Sequence, residues 1–331
     1  MKRILLVSFF MIGLLFFTGC NYNNKNAIDQ LKEKIKKLDC YQIDGTLEVT
    51  NNETTYAYDI NVAYEKDEKY RVSLKNKTND HEQIILKNSS GVYVLTPSLN
   101  KSFKFQSEWP YNNSQSYLYQ TILNDIENDN EASIKNTKNG YIITTKVNYS
   151  NNKNLVNQKI YLNKNYDITE VEVLDKNEIV KIKMKYDKVD QKACFDKDYF
   201  ELSNNLKVSE EIKEQSTASI DNIVYPLYIP DNTTLKSQDT ISTSNGDRVI
   251  LTFSGDNPFT LIEEPVVSEN NQSIISVSGD LEFVNDTIGS IDDGMVSWIS
   301  NGIEYYAVTD SMDTKELLEV ANSVSVLPVG K

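Results

Sequence analysis

The chain has 331 residues and carries 48 Asp and Glu against 34 Lys and Arg, a formal net charge of −14. A surface of that sign repels nucleic acid and anionic lipid headgroups, so no nucleic-acid partner is expected. With one histidine and three cysteines, chemistry that depends on clusters of those residues has little to draw on.

Lys2 and Arg3 open the chain, and Ile4 to Phe17 form an apolar run broken by Ser8 and Gly13. That run is shorter than the roughly 20 residues a membrane-spanning helix needs. Residues 1–19 therefore read as a signal peptide. Its end, LFFTGC, leads small residues straight into a thiol and resembles the lipobox of bacterial lipoproteins. The resemblance implies cleavage before Cys20 and a diacylglycerol on its sulfur. Two acyl chains, at about 0.8 kcal/mol per buried methylene, suffice for stable anchoring. The expected location is the outer face of the cell membrane, reached through a lipidated polar tether over residues 20–26. Losing Lys2 and Arg3 with the signal makes the formal charge −16 rather than −14, so the acyl chains must hold the membrane alone. Cys40 and Cys194 remain as an even pair in an exported compartment. They are either joined by a disulfide or both unpaired and buried, and sequence separation does not choose between the two.

From Ala27 to Leu38, Ile28, Leu31, Ile35 and Leu38 fall at helical spacing with lysines between them. At Tyr41 the period changes to two: Tyr41, Ile43, Leu47 and Val49, then Tyr56, Tyr58, Ile60, Val62 and Tyr64, then Tyr70, Val72 and Leu74. The alternation continues through EQIILKN, GVYVLTP and KSFKFQS, with turn residues in NKTND, NSSG and PSLNK. Within SEWPYNNSQSYLYQTILNDIEND, Ser114 or Ser116 is the expected cap of a helix carrying Leu118, Ile122 and Ile126, with Tyr119 and Leu123 beside them. Strands resume with GYIITTKVNY, NQKIYLN, ITEVEVLD and EIVKIKMKYDKV. Residues 27–202 thus predict one α+β domain, a long curved antiparallel sheet with two helices.

Polar sequence over 203–219 predicts a linker, and residues 220–331 a small α+β domain. Its strands are DRVILTFSG, PFTLIEEP, QSIISVSGDLEFV, MVSWIS and IEYYAV, the last two joined across Asn301 and Gly302, a strong hairpin signal. A final helix starts near Asp313, with Glu316 at capping-box spacing and Leu317, Leu318, Val320, Ala321 and Val324 as its apolar side.

His81 sits in the charged turn TNDHEQ and reads as an exposed loop residue. Zinc, nucleotide and acyl-enzyme motifs are absent, and SGDNPF and SIDDG have the wrong spacing for a calcium loop. No metal, cofactor or catalytic residue is expected. The adjacent acids Glu263–Glu264 and Asp292–Asp293 read as solvated turns. Tyrosine is the distinctive residue, with 20 copies, many on alternating positions of the first domain. Half-buried sheet packing accounts for them. A concave, semi-apolar face is the other reading, with Val92, Val94, Phe103, Phe105, Trp109, Tyr117 and Leu118 as its candidate ligand contacts.

The opening helix, the meander with YRVSLKN and QIILKNSSGVYVLTPSLNKSFKF, and the helix before the last strands together resemble the LolA and LolB lipoprotein carriers. That resemblance covers about Ala27 to Leu202 and implies an open half-barrel of antiparallel sheet lidded by helices. SEWPYNNSQSYLYQTILNDI after a lipobox is similar to the sporulation and germination lipoproteins of the GerS and YdcC type. Those are not known as enzymes, and the GerS type implies a protein partner, a cell-wall amidase. The chain departs from the GerS type by adding residues 220–331, which through PFTLIEE, WISNGIEYYAV and ELLEVANSV resemble a small domain of other Gram-positive surface proteins. The two-domain order is also similar to that of RseB and MucB, which implies a lipid or lipopeptide carrier or sensor as the alternative role.

Overall fold

The computed structural model describes residues 22–51, 54–206, 220, 222–266 and 273–324. Cys20 and most of the expected linker lie outside them.

Helix α1 (Tyr22–Lys36) starts ahead of the expected Ala27 and buries Ala27, Leu31 and Ile35, a stripe at four-residue spacing. Its last-turn lysines suit the negative end of the helix dipole. One of them, Lys34, pairs with Asp167, and the other, Lys36, with Glu127 at 2.5 Å.

The first sheet begins with β1 (Cys40–Asn51), β2 (Thr54–Glu65), β3 (Lys69–Asn76), β4 (Glu82–Asn88), β5 (Gly91–Thr96) and β6 (Lys101–Phe105). Alternate residues of β1 are buried, so Tyr41, Ile43, Leu47 and Val49 all face the core. Helix α2 (Tyr119–Asn128) follows, then β7 (Ser133–Asn136), β8 (Gly140–Lys146), β9 (Leu155–Asn163), β10 (Ile168–Asp175) and β11 (Val180–Asp190). Each strand pairs antiparallel with its neighbour, and β11 returns beside β1, with Leu47 opposite Met184 and Val49 opposite Ile182. Strands β6 and β7 end up at opposite ends of this run and do not pair, so the sheet stays open. The expected curved antiparallel sheet with two packed helices is what these residues form.

Neither expected serine caps α2. Leu118 occupies the cap position, and Thr121 Oγ1 donates instead to the carbonyls of Gln115 and Leu118. Ser114 and Ser116 serve the loop ahead of the helix.

The short helix α3 (Leu202–Asn205) precedes the second sheet, built from β12 (Thr233–Thr243), β13 (Gly246–Gly255) and β14 (Phe259–Pro265). β15 (Ser273–Val277), β16 (Asp280–Val284), β17 (Thr287–Asp292), β18 (Met295–Ser300) and β19 (Ile303–Val308) follow. The second sheet has the order β12-β13-β14-β19-β18-β17-β16. Asn301 and Gly302 both adopt positive φ between β18 and β19, the geometry that makes Asn-Gly favourable there. Helix α4 (Thr314–Ser323) lies against this sheet, with the Asp313 carboxylate accepting from Lys315 N at 2.8 Å.

Strand β15 does not join its own neighbours. It pairs parallel with β6, setting Ile275 opposite Phe103, and so becomes the twelfth strand of the first sheet. The expected continuous run QSIISVSGDLEFV is therefore two strands in two sheets, broken at Ser278–Gly279, where Gly279 has φ 87°. Alternation of apolar residues is the same in either sheet, so it carries no information about which one a strand joins.

The two sheets share a core. Leu281 and Ile288 are buried in the apolar cluster of the first sheet, with Val277 and Phe283 packed against it. Gln83, itself buried, forms a polar clasp: its Oε1 accepts from Ile288 N at 2.6 Å and Thr287 Oγ1 at 2.7 Å, and its Nε2 donates to Ile288 O at 3.2 Å. Ser107 Oγ donates to Asp280 at 2.8 Å and Asn79 Nδ2 to Asp286 at 3.0 Å.

Candidate functional site

A cavity of about 410 Å³ lies at this seam, within the range of ordinary small-molecule sites. Leu47 and Val49 of β1, Ile182 of β11, Leu155 of β9 and Ile85 of β4 give it an apolar floor from the concave side of the first sheet. The loop between β6 and α2 adds Trp109, Asn113, Gln115 and Tyr117, and the loop between β8 and β9 adds Tyr149, Asn151, Asn152 and Asn154. The second unit closes it with Leu281, Glu282 and Phe283 of β16 and with Leu318 and Asn322 of α4.

Tyrosines of the sheet seat the first of those loops and the start of α2. Tyr186 OH donates to Ser116 O at 2.7 Å, Tyr41 OH to Gln120 Oε1 at 2.7 Å, and the Tyr70 and Tyr111 hydroxyls lie 2.9 Å apart. Trp109 meets Tyr70 edge-on, with centroids 5.7 Å apart. Ser114 Oγ donates to Asp125 at 2.9 Å and Gln158 Nε2 reaches the other oxygen at 2.7 Å. Asn113 Oδ1 accepts from Ser150 N and Oγ, tying the two cavity loops together.

Of the seven expected contacts, Trp109 and Tyr117 line the cavity. Val94, Phe103 and Phe105 border a separate void of about 30 Å³ facing Trp298 and Ile288. Val92 and Leu118 are packed inside the apolar cluster. The difference arises because the second unit covers the β4–β6 end of the concave face, a contact that no periodicity encodes. Cys40 is half-buried and Cys194 exposed, and both are free thiols. Burial pushes the Cys40 thiol up, and Cys194 adds to it.

Two readings of polar residues change. His81 is half-buried at the seam, and burial pushes its imidazole pKa down, with Asp286 opposing. Glu263 and Glu264 are not in a turn: β14 points Glu263 into the interior, where both oxygens accept from Val224 N at 3.1 and 3.3 Å, while Glu264 pairs with Arg248 at 2.8 Å. Glu282, half-buried on β16, lines the cavity. One of its oxygens accepts from Phe283 N at 3.3 Å, and the buried Oε2 has only the Asn151 amide near it. Nothing in the local sequence signals this.

Burial pushes the carboxyls of Asp125, Glu263 and Glu282 up to about 7. Folded, they keep protons that the unfolded chain, with ordinary carboxyls near 4, has released. Their contribution is therefore full below about pH 4 and is lost as pH rises through about 7. Asp129, Asp167 and Glu172 work the other way: hydrogen bonds outweigh burial and hold them below their usual range, so their contribution is lost in strong acid. We expect maximal stability near pH 5, with a loss of several kcal/mol by pH 8, each of the three carboxyls contributing about 1.36 kcal/mol per pH unit up to about pH 7. Urea midpoints across that range check it. Asp125→Asn should flatten the alkaline limb, and an unchanged limb would show that this carboxyl already ionises normally.

The fold and the cavity define a class: an open antiparallel sheet lidded by helices, with a small second sheet closing one end over a central hollow. Within it the chain belongs to the YdcC-like sporulation protein family, which matches residues 1–200. It is 32% identical over 318 residues to sporulation protein YdcC of Bacillus subtilis strain 168, covering 95% of this chain and 94% of that one. Among solved structures, MucB is matched over 92% of this chain and 98% of its own, with a TM-score of 0.35 and 12% identity. The CwlD amidase from Clostridioides difficile in complex with the GerS lipoprotein is matched over 49% of this chain and 92% of that one, TM-score 0.23, 17% identity. The LolA superfamily protein NE2245 from Nitrosomonas europaea is matched over 53% and 96%, TM-score 0.30, 10% identity.

Proposed function

We propose that this protein is a membrane-anchored, non-enzymatic lipoprotein of sporulation or germination that holds a protein partner. Its near-full-length similarity to a protein named for sporulation supports the process. The observation that carries the binding role is strand β12. It is an edge of the second sheet with most of its residues exposed, and Leu235 and Ile241 on it are 41% and 50% exposed. The preceding segment adds Tyr225, Leu227, Tyr228 and Ile229, with Leu227 at 74%. Tyr225 bonds to Gln238 in the middle of β12, which sets that ring beside the open edge, while Leu227 and Tyr228 bond to Ser323 and Glu316 of α4. Soluble proteins protect such edges unless a partner strand is added there.

A cell-wall amidase is the first partner to test, on the resemblance to the GerS type. In sporulating cells, deletion should impair spore formation or germination, and Leu227→Ser with Ile241→Lys should reproduce the defect while the purified variant keeps its thermal midpoint. Normal spores from both strains would sink the proposal. The seam cavity supports a second reading, a carrier or sensor of a lipid or lipopeptide.

A further inference from the structure

Resting on that carrier reading, we propose that the seam cavity takes a small amphiphile with a primary ammonium head, and that Glu282 receives the head. The apolar floor of Leu47, Val49 and Ile182 suits a short hydrocarbon body. The wall, however, holds polar atoms that a hydrocarbon leaves unmet: Asn51 Nδ2 is buried without a hydrogen-bond partner, and the buried Glu282 Oε2 and Asn151 Nδ2 have at most each other. Glu282 also lacks a counter-charge among the described residues. The other charged group acting on it is Asp280, of the same sign, and the nearby Tyr117 and Tyr149 phenols are neutral, burial pushing both upward. Lys176, Lys181 and Lys315 are also on the cavity wall, but none forms an ion pair with Glu282, and Lys315 is engaged with Glu319 at 3.5 Å.

These features discriminate among head groups. A carboxylate head would gain no charge partner from Glu282, whether that carboxyl holds its proton or has lost it. A plain acyl chain or an alcohol would leave the acid without a cation. An ammonium brings a positive charge and three donors, meeting the buried oxygen while its chain covers the floor. Such a head could belong to a free alkylamine or to an aminolipid, and the chemistry at Glu282 is the same for both.

The test uses the full-length protein in nanodiscs, labelled with 5-fluorotryptophan and followed by fluorine NMR. Trp109 and Trp298 give two resonances, assigned through Trp298→Phe, and Trp109 is the one on the cavity wall. Hexylammonium should shift the Trp109 resonance saturably, with hexanoate and hexanol at least tenfold weaker, and Glu282→Gln should weaken hexylammonium at least tenfold. Should that variant fail to fold, Asn151→Trp, which keeps the carboxyl and fills the space beside it, should abolish the shift. Competition by lyso-phosphatidylethanolamine, and not by lyso-phosphatidylglycerol, would point to an aminolipid, and its absence alongside hexylammonium binding to a free amine. Equal binding of all three hexyl probes, indifferent to Glu282→Gln, overturns the head-group assignment and leaves a carrier cavity. No shift with any probe overturns both.

Discussion

Cys20→Ala is expected to move the protein from the membrane fraction to the soluble fraction. The anchor envisaged is a pair of acyl chains on one sulfur, and at about 0.8 kcal/mol per buried methylene two chains hold stably where one does not. Little else would resist release. The mature formal charge is strongly negative, so anionic headgroups repel the folded domains. Among the described residues no helix is long and apolar enough to cross a membrane. Fractionation with immunoblotting, together with loss of metabolic palmitate labelling, checks the result, and intact mass of the released chain shows whether residues 1–19 were removed. Attachment that persists after the signal has been cut would place the anchor elsewhere in the chain.

The second large effect is expected at Gln83. Gln83→Leu keeps the volume but strips Ile288 N, Ile288 O and Thr287 Oγ1 of their partner in a buried place. Each orphaned group costs roughly 1–3 kcal/mol, so a loss of about 4 kcal/mol is expected. It should fall on the coupling between the sheets, because both sides keep their own apolar cores. Single-tryptophan variants give separate reporters, Trp109 for the first sheet and Trp298 for the second. Their urea transitions should coincide in the parent protein and separate in Gln83→Leu, with Trp298 unfolding first. Transitions that stay coincident would mean that the wedge of Leu281 and Ile288 suffices to join the units.

Much of the fold was legible because the first domain is built from local pairings. Alternation from Tyr41 to Leu74 predicts β1 to β3, and Asn301-Gly302 predicts the β18–β19 hairpin, since neighbours in sequence are neighbours in the sheet. The candidate site was less legible. Trp109 and Tyr117 were among the residues singled out for a concave face, and they do line the cavity. Glu282, Asn151 and Leu318 were not, because each acquires its place only when residues far apart in the chain meet.

The sequence by itself determined most of the strands and helices, though not β7 or β12, and the lipobox signature at Cys20. Those properties rest on periodicity, turn chemistry and short motifs, which are written within a few residues of one another. Tertiary structure alone decided that β15 leaves its own sheet to pair with β6, that Glu263 is interior and one oxygen of the half-buried Glu282 is enclosed, and that the concave face is partly filled by the chain's own second unit. An alternating strand presents the same pattern whichever sheet it joins. An acid on it becomes buried or solvated according to what packs over it, a choice made by long-range contacts.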